Sequence, residues 1–199
     1  MNSNVEKVVN LARRKGVLRP RDLAEIGFPR QYLRMAHERG LVKRIGRGLY
    51  SVPGVMLSEP TLAEVSKRVP GGVVCLVSAL AFHHLTTQVP HSVDMAIGGK
   101  AHAPKIEFVD VRYYRSSGKA FTEGIETHNV GGVAVKVYDP AKTIADCFKY
   151  RNKIGLDVAI EALRDGLRQR KATPQALVRY GRICRVENVM RPYMEALLG

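Results

Sequence analysis

The chain has no run approaching the roughly 18 consecutive apolar residues that a membrane-spanning helix requires. Its longest apolar stretch, residues 73–85, is interrupted by Ser78 and closes on His83-His84-Leu85. The N-terminus lacks the basic, apolar and small-residue order of a secretory signal, so a soluble, cytoplasmic protein is expected. Cysteine is scarce: Cys75, Cys147 and Cys184 are odd in number, far apart and at no metal-ligand spacing. That excludes a disulfide framework and a zinc site, and leaves buried, unreactive thiols as the expectation. The glycine pairs Gly71-Gly72, Gly98-Gly99 and Gly131-Gly132 lack the lysine and the strand-to-helix context of a phosphate-binding loop.

Acidic residues are also in the minority, 18 against 32 Lys+Arg, for a formal net charge of +14. The excess is not spread evenly. Residues 1–50 carry 12 basic and 4 acidic side chains, residues 51–141 carry 8 of each, and residues 142–199 carry 12 against 6. Two basic ends around a neutral middle suggest a polyanionic partner, because clustered cations release counterions from nucleic acid. Hydrophobic residues make up 45% of the chain, enough for a packed core, and the length suits one large domain or a small one plus a medium one.

The N-terminal third reads as three short helices and a hairpin. Val5, Val8, Val9, Leu11 and Ala12 recur at helical spacing, with Ser3 or Asn4 as cap and Gly16 as stop. A second helix spans 21–26 after Pro20, with Leu23, Ala24 and Ile26 expected inside and Gly27 ending it. A third spans 30–39 after Pro29, with Leu33, Ala36 and either Met35 or His37 inward, closed by Gly40. Residues 41–45 and 49–52 alternate as paired strands around Gly46-Arg47-Gly48, and Pro53-Gly54 ends them. Three helices with a tight glycine turn between the last two, followed by a hairpin, make a winged helix-turn-helix.

The polar residues of this unit point to double-stranded DNA. Arg30, Gln31 and Arg34 occupy the first two turns of the third helix, where a recognition helix reaches base edges. Arginine matches guanine bidentately and glutamine matches adenine. Tyr32 either contacts a thymine methyl or a phosphate, or packs inside. Arg19 and Arg21 start the second helix, where a backbone phosphate would lie, and Lys43, Arg44 and Arg47 are the wing contacts. The competing reading is a protein-binding winged helix with solvated basic residues.

Beyond it, helices are expected at 58–69, from about residue 77 to 84, 141–149, 156–171, 174–181 and 186–198. Strands are expected at 92–97, 107–114 and 132–138. Leu156, Ile160, Leu163 and Leu167 form an apolar stripe, with Arg164, Arg168 and Lys171 opposite it. That basic stripe is either a solvated face paired with Asp157, Glu161 and Asp165, or a second polyanion surface. Asp139 before Pro140 reads as an N-cap, and Asp146 as a partner of Lys149 or a nearby arginine.

The order of these segments resembles the AbiEi family of antitoxins, which are transcriptional regulators of type IV toxin–antitoxin and abortive-infection systems. The markers are Arg44-Ile45-Gly46-Arg47-Gly48-Leu49-Tyr50, residues 77–86 from Val77 through His83-His84-Leu85-Thr86, then Val89-Pro90, the strand at 133–137, and Asp139-Pro140-Ala141-Lys142-Thr143-Ile144-Ala145-Asp146. The resemblance implies a phage-defence antitoxin that represses its own operon, binding promoter inverted repeats through the N-terminal domain. It also implies relief of a nucleotidyltransferase-like toxin by the C-terminal domain without a stable complex.

No catalytic constellation stands out. His83-His84 diverge and lack acidic or thiol neighbours at ligand spacing, so a structural histidine is expected. Asp94, Lys105 and Glu107 do not form the ordered acidic pair and lysine of a metal-dependent nuclease. The expectation is an α+β protein without catalytic activity or cofactor. Residues 1–55 form the winged helix-turn-helix, and residues 60–199 a mixed α/β domain with a short antiparallel sheet and a helical C-terminal part. The other readings are a ligand-responsive regulator with a deep pocket in the second domain, and a nuclease-related DNA-binding protein.

Overall fold

A computed structural model describes residues 3–15, 18–46, 48–52, 60–88, 90–106 and 110–198. The expected domain boundary at 55–60 falls almost wholly outside them. Two compact units partition the chain: residues 1–68 with 128–135, and residues 69–127 with 136–199.

The first unit contains α1 (Ser3–Lys15), α2 (Pro20–Ala24), α3 (Gln31–Glu38), β1 (Lys43–Gly46), β2 (Leu49–Ser51) and α4 (Pro60–Arg68). Its core is the apolar face of α1 (Val5, Val8, Leu11, Ala12) against Leu18, Leu23, Leu33, Ala36 and Val42. Each fully buried leucine there stabilises the unit by about 1.5–3 kcal/mol. The turn between α2 and α3 depends on Gly27 at φ 71, a conformation that Cβ-bearing residues disfavour. It closes with Phe28 N–H donating to the Leu23 carbonyl at 2.8 Å. β1 and β2 pair antiparallel, Arg44 opposite Tyr50, and the register shifts between Arg44 and Gly46. Leu18 joins the hairpin by exchanging two backbone hydrogen bonds with Tyr50, at 2.8 and 2.9 Å. The segment between α1 and α2 thereby anchors the hairpin to the helices.

The short α2 departs from expectation. It ends at Ala24, leaving Ala24 and Ile26 exposed, and its buried residues are Leu23 and Asp22. Five residues make barely more than one turn, so only one stripe of α2 can face the core. The buried Asp22 is compensated from three elements. Its carboxylate accepts from Arg19 N–H at 2.7 Å and pairs with Lys15 of α1 at 3.3 Å and Lys67 of α4 at 3.4 Å. Burial pushes its pKa up, but the Arg19 hydrogen bond and the two lysines outweigh that and hold it below the ordinary value.

Residues 69–127 and 136–199 carry most of a mixed sheet, while residues 128–135 of its last two strands cluster with the first unit. After β3 (Val73–Val74) and α5 (Leu76–Phe82) come β4 (Val93–Gly98), β5 (Val111–Ser116), α6 (Lys119–Thr122), β6 (Ile125–Val130) and β7 (Val133–Tyr138). The spatial order is β5-β4-β3-β7-β6. β3 runs antiparallel to β4 but parallel to β7, and β4 runs parallel to β5. The expected antiparallel sheet is thus corrected to one with two parallel pairs. A two-residue strand, Val73–Val74, sits at its centre because Cys75 is extended and the helix begins only at Leu76. β6 was not foreseen. The expected strand at 107–114 begins at Val111 among the described residues, and 107–109 lie outside them.

Five helices complete the unit: α7 (Pro140–Lys149), α8 (Arg151–Ile154), α9 (Leu156–Arg168), α10 (Pro174–Cys184) and α11 (Glu187–Leu198). α7 is the central one, buried continuously from Ala141 to Phe148 and packed by α5, α9, α10 and α11. Asp139 caps it, accepting from Lys142 N–H at 2.8 Å, as the Asp-Pro pair suggested. Asp146, however, pairs with Lys142 at 2.5 Å rather than with Lys149 or an arginine. One turn apart on a helix closed to solvent, these two charges have, among the described residues, only each other as ion-pair partners. Lys142 Nζ also lies 3.9 Å from the Tyr138 ring centroid, and Cys184 donates to Asp146 at 3.3 Å. On α9 the buried face is Val158, Ala159, Ala162, Leu163 and Gly166, whereas Leu156 is exposed and Ile160 and Leu167 are half-buried. Small residues on that face let α9 approach α7 closely. A Cβ on Gly166 would lie 2.6 Å from Ile144 Cδ1.

Candidate nucleic-acid interface

α3 separates its two faces cleanly. Leu33 and Ala36 are buried against α1, and Met35 is half-buried beside them. His37 is exposed, with Nδ1 3.1 Å from the Val42 carbonyl and its ring edge-on to Tyr50. Arg30, Gln31 and Arg34 are all exposed, at the start of the helix and on its outer side. The Arg34 side chain is 81% exposed and pairs at 3.0 Å with Glu38 one turn on, itself exposed. An exposed pair of this kind contributes at most about 0.5 kcal/mol, so it does not prevent Arg34 from exchanging Glu38 for another acceptor. Tyr32 is half-buried, edge-on to Phe28 with ring centroids 6.2 Å apart, so its ring helps fix the start of α3.

On the flanks, Arg21 is exposed on α2, and Lys43 and Arg44 are exposed on β1. Arg47 lies outside the described residues. Arg19 differs from the others. It is half-buried, and its Nη2 is closed off without a hydrogen-bond partner among the described residues. Burial, with the neighbouring charges of Arg21 and Arg68, pushes its pKa down to about 10, still cationic at neutral pH. Sequence reasoning missed Lys7, exposed on α1, with Nζ 5.9 Å from the centroid of the Phe28 ring that precedes α3. The 3.6-residue repeat of α1 put Lys7 on its outer face, but nothing local connected it to residue 28.

Residues 6–53 match the family described as transcriptional regulator, AbiEi antitoxin. This segment is similar to an AbiEi domain, and the likeness extends to no other part of the chain. The match runs from α1 to the end of the hairpin and so takes in every exposed cation of α2, α3 and β1 named above. No curated protein matches the chain. In fold, the chain is similar to the crystal structure of the RV2827C protein from Mycobacterium tuberculosis, with a TM-score of 0.59 at 15% identity, covering 91% of this chain and 72% of that one. That likeness concerns the fold alone.

Outside residues 6–53, several of the other candidate residues have structural partners. His83 Nε2 lies 2.7 Å from the Tyr138 carbonyl, tying the end of α5 to β7. Of the basic stripe, Lys171 donates to the His83 carbonyl at 2.6 Å, Arg168 pairs with Asp165 at 3.0 Å, and Arg164 is exposed. Glu161 serves Thr87, accepting from its N–H and its hydroxyl at 3.1 Å each. The three cysteines are free and buried, and burial pushes the Cys75 and Cys147 thiols well up and Cys184 up to about 12, so none is a thiolate at neutral pH. Among the described residues, no group of three His, Cys, Asp or Glu side chains can hold a metal ion, and no helix is long and apolar enough to cross a membrane.

Proposed function

We propose that the AbiEi domain is a winged helix-turn-helix that binds double-stranded operator DNA, with α3 in the major groove and the β1–β2 hairpin as the wing. The observation that carries this reading is the polarity of α3: Arg30, Gln31 and Arg34 stand exposed opposite the buried Leu33 and Ala36. Two arginines and an amide at the start of a rigidly seated helix are the residue types that read guanine and adenine edges. Arg21, Lys43 and Arg44 take the phosphates on either side, with Arg47 at the wing tip. Arg19 and Tyr32 support the surface, and the half-buried Arg19 adds positive potential beneath it.

In this reading the chain is a cytoplasmic antitoxin that represses its own operon through promoter inverted repeats. It counteracts a nucleotidyltransferase-like toxin without forming a stable complex, and residues 60–199 carry that relief. It has no catalytic step of its own. The test is a footprint on the promoter upstream of its reading frame. Protection of paired inverted half-sites, lost when Arg30 and Arg34 are both replaced by alanine, is the expected result. Uniform coating of any basic-protein-binding DNA, unaffected by those replacements, refutes the reading.

A further inference from the structure

A second candidate site lies in the other unit and shares no residue with the DNA reading. A polar pocket of about 180 Å³ is lined by Asp94 on β4, Arg112 and Tyr114 on β5, Lys153 on α8, and His91. Parallel pairing of β4 with β5 sets Asp94 opposite Arg112, and α8 brings Lys153 to within 5.9 Å of the Tyr114 ring centroid. Asp94 is only 4% exposed, and its Oδ1 has no hydrogen-bond donor among the described residues. A buried acceptor left without a donor costs stability, and such groups concentrate where a ligand completes them. Burial pushes the Asp94 carboxyl up, against hydrogen bonding from Tyr114 and from the N–H groups of Ser78 and Val77. A cation arriving beside it would favour the ionised form.

The two cations at the rim point the other way. Arg112 and Lys153 are exposed, and among the described residues neither has an ion-pair partner within 4.0 Å. One carboxylate in the floor and two cations above it form the complement of a molecule with one ammonium and two carboxylates. The volume is below the roughly 300–1,000 Å³ of sites for drug-sized ligands and suits a free amino acid rather than a nucleotide. We infer that this pocket binds a free acidic amino acid, its ammonium on Asp94 and its two carboxylates on Arg112 and Lys153. Arginine presents a planar fork to one carboxylate, and lysine a point charge to the other. Asp94 Oδ1 is closed to solvent, so seating the ammonium requires a neighbouring side chain to move and uncover it.

The test is isothermal titration calorimetry on the full chain with L-glutamate and L-aspartate. Saturable binding of at least one is expected. Glutarate, which lacks the ammonium, and L-glutamine, which lacks the second carboxylate, are expected to bind at least about ten-fold more weakly, the scale of one charge-assisted hydrogen bond. Asp94→Asn is expected to lose at least ten-fold. Arg112→Ala, at an exposed position where folding is not at stake, carries the same expectation and keeps the test decisive if the Asp94 variant misfolds. Absence of binding by both amino acids, equal binding of glutarate or glutamine, or undiminished affinity in Arg112→Ala overturns the inference. The outcome is independent of DNA binding, since none of these residues lies in the AbiEi domain.

Discussion

Replacing Lys142 by alanine tests whether its ion pair with Asp146 holds α7 in the core. Lys142 is fully buried, Asp146 is 6% exposed, and the two are 2.5 Å apart. The remaining neighbours of Asp146 cannot replace the ammonium: Cys184 donates only a weak S–H hydrogen bond at 3.3 Å. Removing one partner of such a pair leaves an uncompensated charge in the interior and costs about 3–5 kcal/mol. Loss of the buried lysine stem, and of the contact between its ammonium and the Tyr138 ring, adds to this. Urea denaturation of the full chain, followed by far-UV circular dichroism, reads the effect. A Lys142→Met, Asp146→Leu double variant removes both charges while keeping volume, and is expected to be more stable than Lys142→Ala. If Lys142→Ala costs less than about 1 kcal/mol, or the double variant is worse than the single one, the ion pair is not what holds α7 in the core.

Three further outcomes follow from the same structure. Glu38→Gln frees Arg34 and removes a negative charge beside the proposed DNA face, so operator affinity should rise a few-fold in fluorescence anisotropy; unchanged or weaker binding contradicts the placement of Arg34. Asp22→Asn should destabilise the first unit by about 1–3 kcal/mol at pH 7, because Lys15 and Lys67 lose a charged partner. Asp22 is depressed in the folded state, so its contribution is complete above the unfolded carboxylate pKa and disappears as pH falls through the lower folded one. The gap between wild type and variant should therefore close in acid melts below about pH 4, and a gap that persists there rejects the ionic account. Gly166→Ala puts a methyl against Ile144 and should cost about 1–3 kcal/mol by overpacking, read by thermal melting; a neutral or stabilising effect shows that α9 can retreat from α7.

Legibility in the sequence tracked how local the determinant was. α1, α3 and the β1–β2 hairpin were readable because their apolar spacing and glycine stops are written within a few residues. The Asp139 cap was readable because Pro140 marks the first turn. Asp22 was not, since its two lysines come from α1 and α4, 7 and 45 residues away. The sheet was misread for the same reason. A two-residue strand at Val73–Val74 carries no periodicity, yet it pairs with both β4 and β7, and its parallel partner lies more than 60 residues on. The leucine stripe of α9 packs in part, with Leu163 buried, Ile160 and Leu167 half-buried and Leu156 exposed, and close approach to α7 adds the alanines and Gly166 to the buried face. For the candidate interface, the sequence indicated which cations sit on α3, while the burial of Arg19 and the Arg34–Glu38 pair needed the tertiary structure.

The central claim, that α3 reads DNA, is tested most directly by measuring operator affinity and base preference for Arg30→Ala and Arg34→Ala in the full chain. Each substitution is expected to cost about 1–3 kcal/mol on the preferred site and to relax discrimination at one base position, with the fold unchanged by circular dichroism. Wild-type affinity and wild-type base preference in both variants would contradict the account.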